Sequence, residues 1–205
     1  MGLFVKICGL ARREDILEVA AFRPDAMGFV LWPDSPRAIA AEDLIRWAPL
    51  IPPGIRKVGV FVDPELSEVR RIANLSGLDV IQLHRVENIE RFRMIGLPIW
   101  KAIHADRMAP GEIGEGRVDA WVADTYSKDV PGGTGKTGNW EAIRGLVRTS
   151  RAPVLVAGGL NERNVEEAIR HIRPWGVDVS SGVEAEPGKK NVNSVREFIR
   201  ACRKH

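Results

Sequence analysis

Phe4-Val5-Lys6-Ile7-Cys8-Gly9-Leu10 is a short apolar run that stops on a cysteine and then a glycine. Counting Phe4–Cys8 as the first, eight such runs follow one another along the chain. The others are Ala26–Leu31, Lys57–Val62, Val80–Leu83, Ile99–Ala102, Ala120–Asp124, Val154–Ala157 and Val177–Val179. They lack polar alternation, as expected of parallel strands buried on both faces.

Amphipathic segments lie between them. Arg12–Ala21 carries Ile16, Val19 and Ala20 on one face, and Ala41–Trp47 gathers Leu44, Ile45 and Trp47. Pro64–Leu75 presents Leu66, Val69, Ile72 and Ala73 as a stripe, with Asp63 expected as N-cap and Pro64 at the first helical position. Glu87–Ile95, Trp140–Val147, Asn164–Ile172 and Val192–Ala201 are the remaining helices, and Asp106–Gly116 reads as a poor helix or a loop. Strands alternating with helices imply a parallel sheet with helices outside. Eight strands in 205 residues predict a single-domain (β/α)8 TIM barrel over residues 1–205. An open doubly wound sheet uses fewer strands and carries its phosphate glycines after the first one, where this chain has Cys8-Gly9-Leu10.

The composition is that of an ordinary soluble protein: 44% hydrophobic, 28% charged, formal net charge +3. The mild positive balance favours a small anionic ligand, and no Lys/Arg-rich face points to nucleic acid. No signal peptide or membrane-length apolar run is visible. Two cysteines at opposite ends form no disulfide framework, so a reducing, cytoplasmic setting is expected.

A barrel gathers the ends of its strands on one face, where chemistry sits, with phosphate held in the loops after strands seven and eight. Here those loops are Ala157-Gly158-Gly159-Leu160 and Ser180-Ser181-Gly182-Val183-Glu184. Glycines let backbone N–H groups approach an anion, so Gly158, Gly159, Ser180, Ser181 and Gly182 are the expected phosphate contacts. Asp178 precedes them on the last strand, placed either to orient a substrate hydroxyl or to support the loop. Cys8 ends strand one; it is either a small buried hydrophobe or a nucleophilic base. Lys6 shares its side of the strand, and an ammonium there favours the thiolate. Asp124 ends strand six, as an acid opposite the thiol, or else as an N-cap or a salt-bridge partner of Lys128 or Lys136. Arg37, after Ser35-Pro36, is suited to bidentate capture of a carboxylate or is simply solvated. The four histidines have no metal-ligand spacing, and the six tryptophans read as packing. Gly132-Gly133-Thr134-Gly135-Lys136-Thr137-Gly138 imitates a nucleotide loop, but Val130 stands at the first glycine position and no strand leads into it. It reads instead as a lid beside Asp124.

Taken together, several stretches resemble the phosphoribosylanthranilate isomerase family of tryptophan biosynthesis. They are Lys6-Ile7-Cys8-Gly9-Leu10, Gly28-Phe29-Val30 with Ser35-Pro36-Arg37, Val58-Gly59-Val60-Phe61, Gln82-Leu83-His84, Asp124 with Gly132–Gly135, Ala157–Leu160, and Val177–Glu184 with Pro187-Gly188-Lys189. The resemblance implies an Amadori rearrangement of N-(5-phosphoribosyl)anthranilate to 1-(2-carboxyphenylamino)-1-deoxyribulose 5-phosphate. It makes Asp124 the general acid and Cys8 the general base. It assigns Arg37 to the anthranilate carboxylate, counts His84 and Asp178 among the substrate contacts, and gives the glycine loops to the phosphate. It implies no metal or organic cofactor and no partner beyond the phosphorylated substrate, with no nucleic acid or membrane; it does not select between monomer and homodimer.

Three positions depart from the family pattern: Arg85 where glycine is usual, Gly138-Asn139-Trp140 for Phe-Asp-Trp, and Asn191 for aspartate. Asn191 remains a plausible helix cap. A histidine-pathway sugar-phosphate isomerase would carry aspartate where Cys8 stands. A metal-dependent epimerase would need paired His and Asp ligands, and an indole-forming synthase would need strand-borne Lys and Glu. A phosphosugar-binding barrel without catalysis is the alternative of a different class.

Overall fold

Eight parallel strands close into a barrel in sequence order: β1 (Phe4–Ile7), β2 (Ala26–Val30), β3 (Arg56–Val62), β4 (Val80–His84), β5 (Ile99–His104), β6 (Ala120–Asp124), β7 (Val154–Ala157) and β8 (Gly176–Val179). The computed structural model describes residues 2–104, 118–124 and 140–205. The expected loop at 106–116, the glycine-rich lid, Lys128, Lys136 and Gly138-Asn139 lie outside the described residues. Among those described, no helix is long and apolar enough to cross a membrane.

Closure is made by β1, which pairs with β2 on one side and β8 on the other, with Lys6 opposite Asp178 and Ile7 opposite Val179. Among the described residues, six α-helices accompany the barrel: α1 (Arg13–Ala21), α2 (Ala41–Trp47), α3 (Leu66–Ser76), α4 (Trp140–Thr149), α5 (Val165–Ile172) and α6 (Val192–Cys202). Of the expected stripes, Ile16, Val19 and Ala20 on α1, Leu44 on α2, and Val69, Ile72 and Ala73 on α3 are buried, while Ile45, Trp47 and Leu66 are half-buried. On α6 the Asn191 side chain caps the helix, accepting from the N–H groups of Asn193 and Ser194. Phe198 of the same helix is fully buried against the barrel wall, and truncating it to alanine would cost about 3–5 kcal/mol.

Two expectations fail locally. Asp63 is not an N-cap: its φ is +44°, and its N–H donates to the His84 carbonyl at 3.0 Å, so α3 starts only at Leu66 with no side-chain cap. The segment expected as a helix from Glu87 is a 3₁₀ turn, Glu90–Ile95. The Asn88 side chain accepts from the Glu90 N–H, and Gly96 turns left-handed at φ +80°, which leaves too few residues for an α-helix. A short hairpin also appears after β8, made of β9 (Glu184–Glu186) and β10 (Lys189–Lys190).

The core has two parts. The larger lies between strands and helices. The smaller fills the barrel interior with Ala26, Val58, Val80, Trp100, Ala120, Val122, Leu155 and Ala157, along with Cys8. Phe4 stacks on Trp175 with ring centroids 4.4 Å apart, and Trp100 meets both rings edge-on. These aromatics fill the end opposite the strand tips. Because side chains alternate along a strand, this interior set fixes which residues face inward higher up: Lys6, Gly28, Gln82, His84, His104, Asp124 and Asp178.

Candidate active site

At the C-terminal ends of the strands the inward positions turn polar. Cys8 and Asp124 both take inward positions there, on β1 and β6. Cys8 lies just past the end of its strand, tied back by its N–H to the Val179 carbonyl at 2.8 Å. Asp124 is the last residue of β6, half-buried, with His104 and Ala157 as its register neighbours.

Beneath Cys8 lies a fully buried ion pair. The Lys6 ammonium is 3.0 Å from each carboxylate oxygen of Asp178. Burial would lower the pKa of the ammonium, yet the Asp178 carboxylate, with Cys8 as a further hydrogen-bond partner, holds it above the ordinary value. The thiol is governed the other way. Burial pushes the Cys8 pKa up, and the pull of Lys6, itself opposed by Asp178, does not reverse it. The expected thiolate-favouring contact therefore exists, but the resting group is a thiol. Gly28 of β2 makes the contact possible: a Cβ there would lie 2.6 Å from Cys8 Sγ and 3.0 Å from Lys6 Nζ.

His84 sits at the end of β4 with its Nε2 3.0 Å from the Gln82 amide nitrogen. Which of the two donates follows the tautomer of the ring. Burial and the charges of Lys6, His104 and Arg85 hold its pKa down at about 4, so His84 is neutral.

The loops after β1, β2 and β8 meet at Gly9. Its φ is +72°, and a Cβ there would lie 2.7 Å from both Arg37 Cδ and Ser180 Oγ. Arg37 is thus at the mouth, but it is not a free loop cation. Its Nε and Nη2 donate to the two carboxylate oxygens of Glu184 at 2.8 and 2.7 Å. Glu184 also accepts from the buried Lys190 ammonium at 2.9 Å. Burial would raise the Glu184 pKa, but these two cations hold it below its ordinary value. Lys190 further donates to the Ser180 carbonyl at 3.1 Å, while its backbone N–H donates to Asp15 of α1. The β9–β10 hairpin thereby straps the Ser180 loop to the barrel. Lys190 went unremarked in the sequence, and Gln82 and Glu184 were seen only as parts of motifs; their roles depend on partners far away along the chain or on the tautomer of a ring.

The two glycine loops also meet. Gly158 and Gly159 adopt φ of +84° and +65°, and a Cβ on Gly182 would collide with the Leu160 carbonyl oxygen. Gly182 thus has no room for a side chain, and the left-handed backbone of Gly158 and Gly159 favours glycine there. Cys8, Arg37, His84, Asp124, Asp178 and both glycine loops therefore share one end of the barrel. Among the described residues, no group of three or more His, Cys, Asp or Glu side chains is arranged to hold a metal ion.

Residues 5–201 match the family model described as N-(5'phosphoribosyl)anthranilate (PRA) isomerase. The N-(5'-phosphoribosyl)anthranilate isomerase of Thermoanaerobacter sp. (strain X514) is 42% identical over 203 residues, 97% of either chain. The crystal structure of phosphoribosyl anthranilate isomerase from Thermotoga maritima superposes with a TM-score of 0.84 at 35% identity, covering 99% of this chain and 100% of that one. A phosphoribosyl anthranilate isomerase in complex with reduced 1-(o-carboxyphenylamino)-1-deoxyribulose 5-phosphate superposes with a TM-score of 0.81 at 33% identity, with the same coverage.

Proposed function

The chain belongs to the N-(5'-phosphoribosyl)anthranilate isomerase family of tryptophan biosynthesis, and we propose that Cys8 and Asp124 carry the Amadori rearrangement at its barrel mouth. The observation that carries this reading is the inward placement of a thiol on β1 and a carboxyl group on β6 at the same end of the barrel as both glycine loops.

The chemistry follows from those groups. Asp124 donates a proton to the ribose ring oxygen while the aniline nitrogen pushes its lone pair toward C1. The C1–O bond breaks and an open-chain iminium forms. Cys8, its own proton first released to solvent, takes the C2 proton as a thiolate; the C–H electrons form a C1–C2 double bond and neutralise the iminium. The enaminol then ketonises, with C1 gaining a proton and the C2 hydroxyl losing one, so the product is an isomer. The substrate nitrogen is its own electron sink, and the roles assigned here call on no cofactor.

Lys6 lies where it favours the thiolate at the moment of proton transfer, and Asp178 holds Lys6 in place. Neutral His84 offers its ring to the substrate as a hydrogen-bonding group without adding charge. The backbone of Gly158, Gly159, Ser180, Ser181 and Gly182 receives the phosphate. Arg37, fixed by Glu184 through Nε and Nη2, has its remaining N–H groups for the anthranilate carboxylate. A cytoplasmic location fits two buried, unpaired cysteines.

The test is turnover. Phosphoribosylanthranilate is generated in place from anthranilate and phosphoribosyl pyrophosphate by its transferase, and its fluorescence is followed after the chain is added. Loss of fluorescence on addition supports the reading. No loss with a folded sample that still binds the reduced product analogue would make the chain a binding barrel instead.

A further inference from the structure

Arg85 follows His84 directly at the end of β4. Its backbone is left-handed, with φ +56°, a conformation that L side chains other than Asn and Asp seldom adopt. Its guanidinium lies 5.4 Å from the centre of the Trp32 ring, in the loop after β2. Arg85 is exposed; besides this ring contact its charge acts on neighbouring His84, and among the described residues it forms no salt bridge with a carboxylate. Arg37 differs, since two of its nitrogens are committed to Glu184.

The topology says which end of a ligand Arg85 meets. The barrel closes in the order β1 to β8, so β3 and β4 lie across from β7 and β8. A substrate with its phosphate in the glycine loops after β7 and β8 directs its other end toward the loops after β2 to β4. For the substrate proposed above, that other end is a benzoate. The Trp32 ring engages the guanidinium through its π-system, a contact that uses none of the five N–H donors a carboxylate would need.

We propose that Arg85, held against Trp32, is a second cation for the substrate carboxylate and a specificity-determining residue of this chain. The proposal rests on the isomerase reading and adds to it a contact from β4. The left-handed backbone provides a control. Glycine at this position relieves the strain, so loss of a carboxylate contact is separable from loss of the fold.

The experiment measures the affinity of the wild type and Arg85→Gly for two probes. One is the reduced product, 1-(2-carboxyphenylamino)-1-deoxyribitol 5-phosphate; the other is its phenylamino counterpart without the carboxylate. The expected result is that Arg85→Gly binds the carboxylate probe about tenfold more weakly, binds the phenylamino probe as the wild type does, and melts no lower. Equal weakening for both probes, no weakening for either, or a lowered melting temperature with parallel losses would overturn the assignment of Arg85. Failure of the wild type to bind either probe would overturn the isomerase reading, and the Arg85 contact with it.

Discussion

Asp178 offers both carboxylate oxygens to the Lys6 ammonium at 3.0 Å, side by side on strands whose pairing closes the barrel. Lys6 is fully buried and Asp178 nearly so. Removing either partner leaves a buried charge alone, which costs about 3–5 kcal/mol. Lys6→Met and Asp178→Asn should each lower the stability by that order, and the double variant should be more stable than the sum of the two predicts. Urea unfolding of the four proteins measures this directly. The kinetic signature is separate. If Lys6 assists the Cys8 thiolate, the rise of kcat/KM with pH should move to higher pH in Lys6→Met; an unmoved pH profile would confine Lys6 to stability.

Gly28 leaves the space in which that thiol and ammonium meet. In Gly28→Ala the new methyl would stand 2.6 Å from Cys8 Sγ and 3.0 Å from Lys6 Nζ, and both belong to packed strands. Overpacking of this kind costs about 1–3 kcal/mol. Turnover should fall about tenfold or more, because displacement of the base from its working position is costly. Wild-type kcat in Gly28→Ala would mean that the close approach plays no part in catalysis.

The neutral His84 has a consequence for stability in acid. Its pKa in the folded state is about 4, against an ordinary 6.5. Between these values the unfolded chain binds the proton and the folded chain does not. Stability therefore rises with pH across this window and is lost as the pH falls from about 6.5 toward 4. Melting temperatures over that range should drop, and His84→Gln should flatten the part due to this ring. Superimposable acid limbs for the two proteins would show that His84 protonates freely in the fold.

The barrel was legible because strands buried on both faces must be apolar throughout, and eight such runs separated by amphipathic segments fit few folds. The inward facing of Cys8 and Asp124 followed from alternation, since each ends a strand whose neighbours two residues back lie in the barrel interior. What could not be read were pairings set by closure. Lys6 finds Asp178 only because β1 joins β8, and Arg37 finds Glu184 only because the β9–β10 hairpin folds back over the mouth. Asp63 looked like a helix cap because it precedes proline, but its N–H is drawn to the His84 carbonyl and its backbone turns left-handed. Trp32 looked like packing, and only the fold places it beneath Arg85.

The central claim is that Cys8 takes the proton from C2 after Asp124 has opened the ring. The most direct measurement is the conversion rate of phosphoribosylanthranilate by the wild type, Cys8→Ala and Asp124→Asn, each with its melting temperature. Both variants should fold normally and lose at least ~10² in kcat. Near-normal turnover in Cys8→Ala would contradict the assignment of the base, and in Asp124→Asn that of the acid.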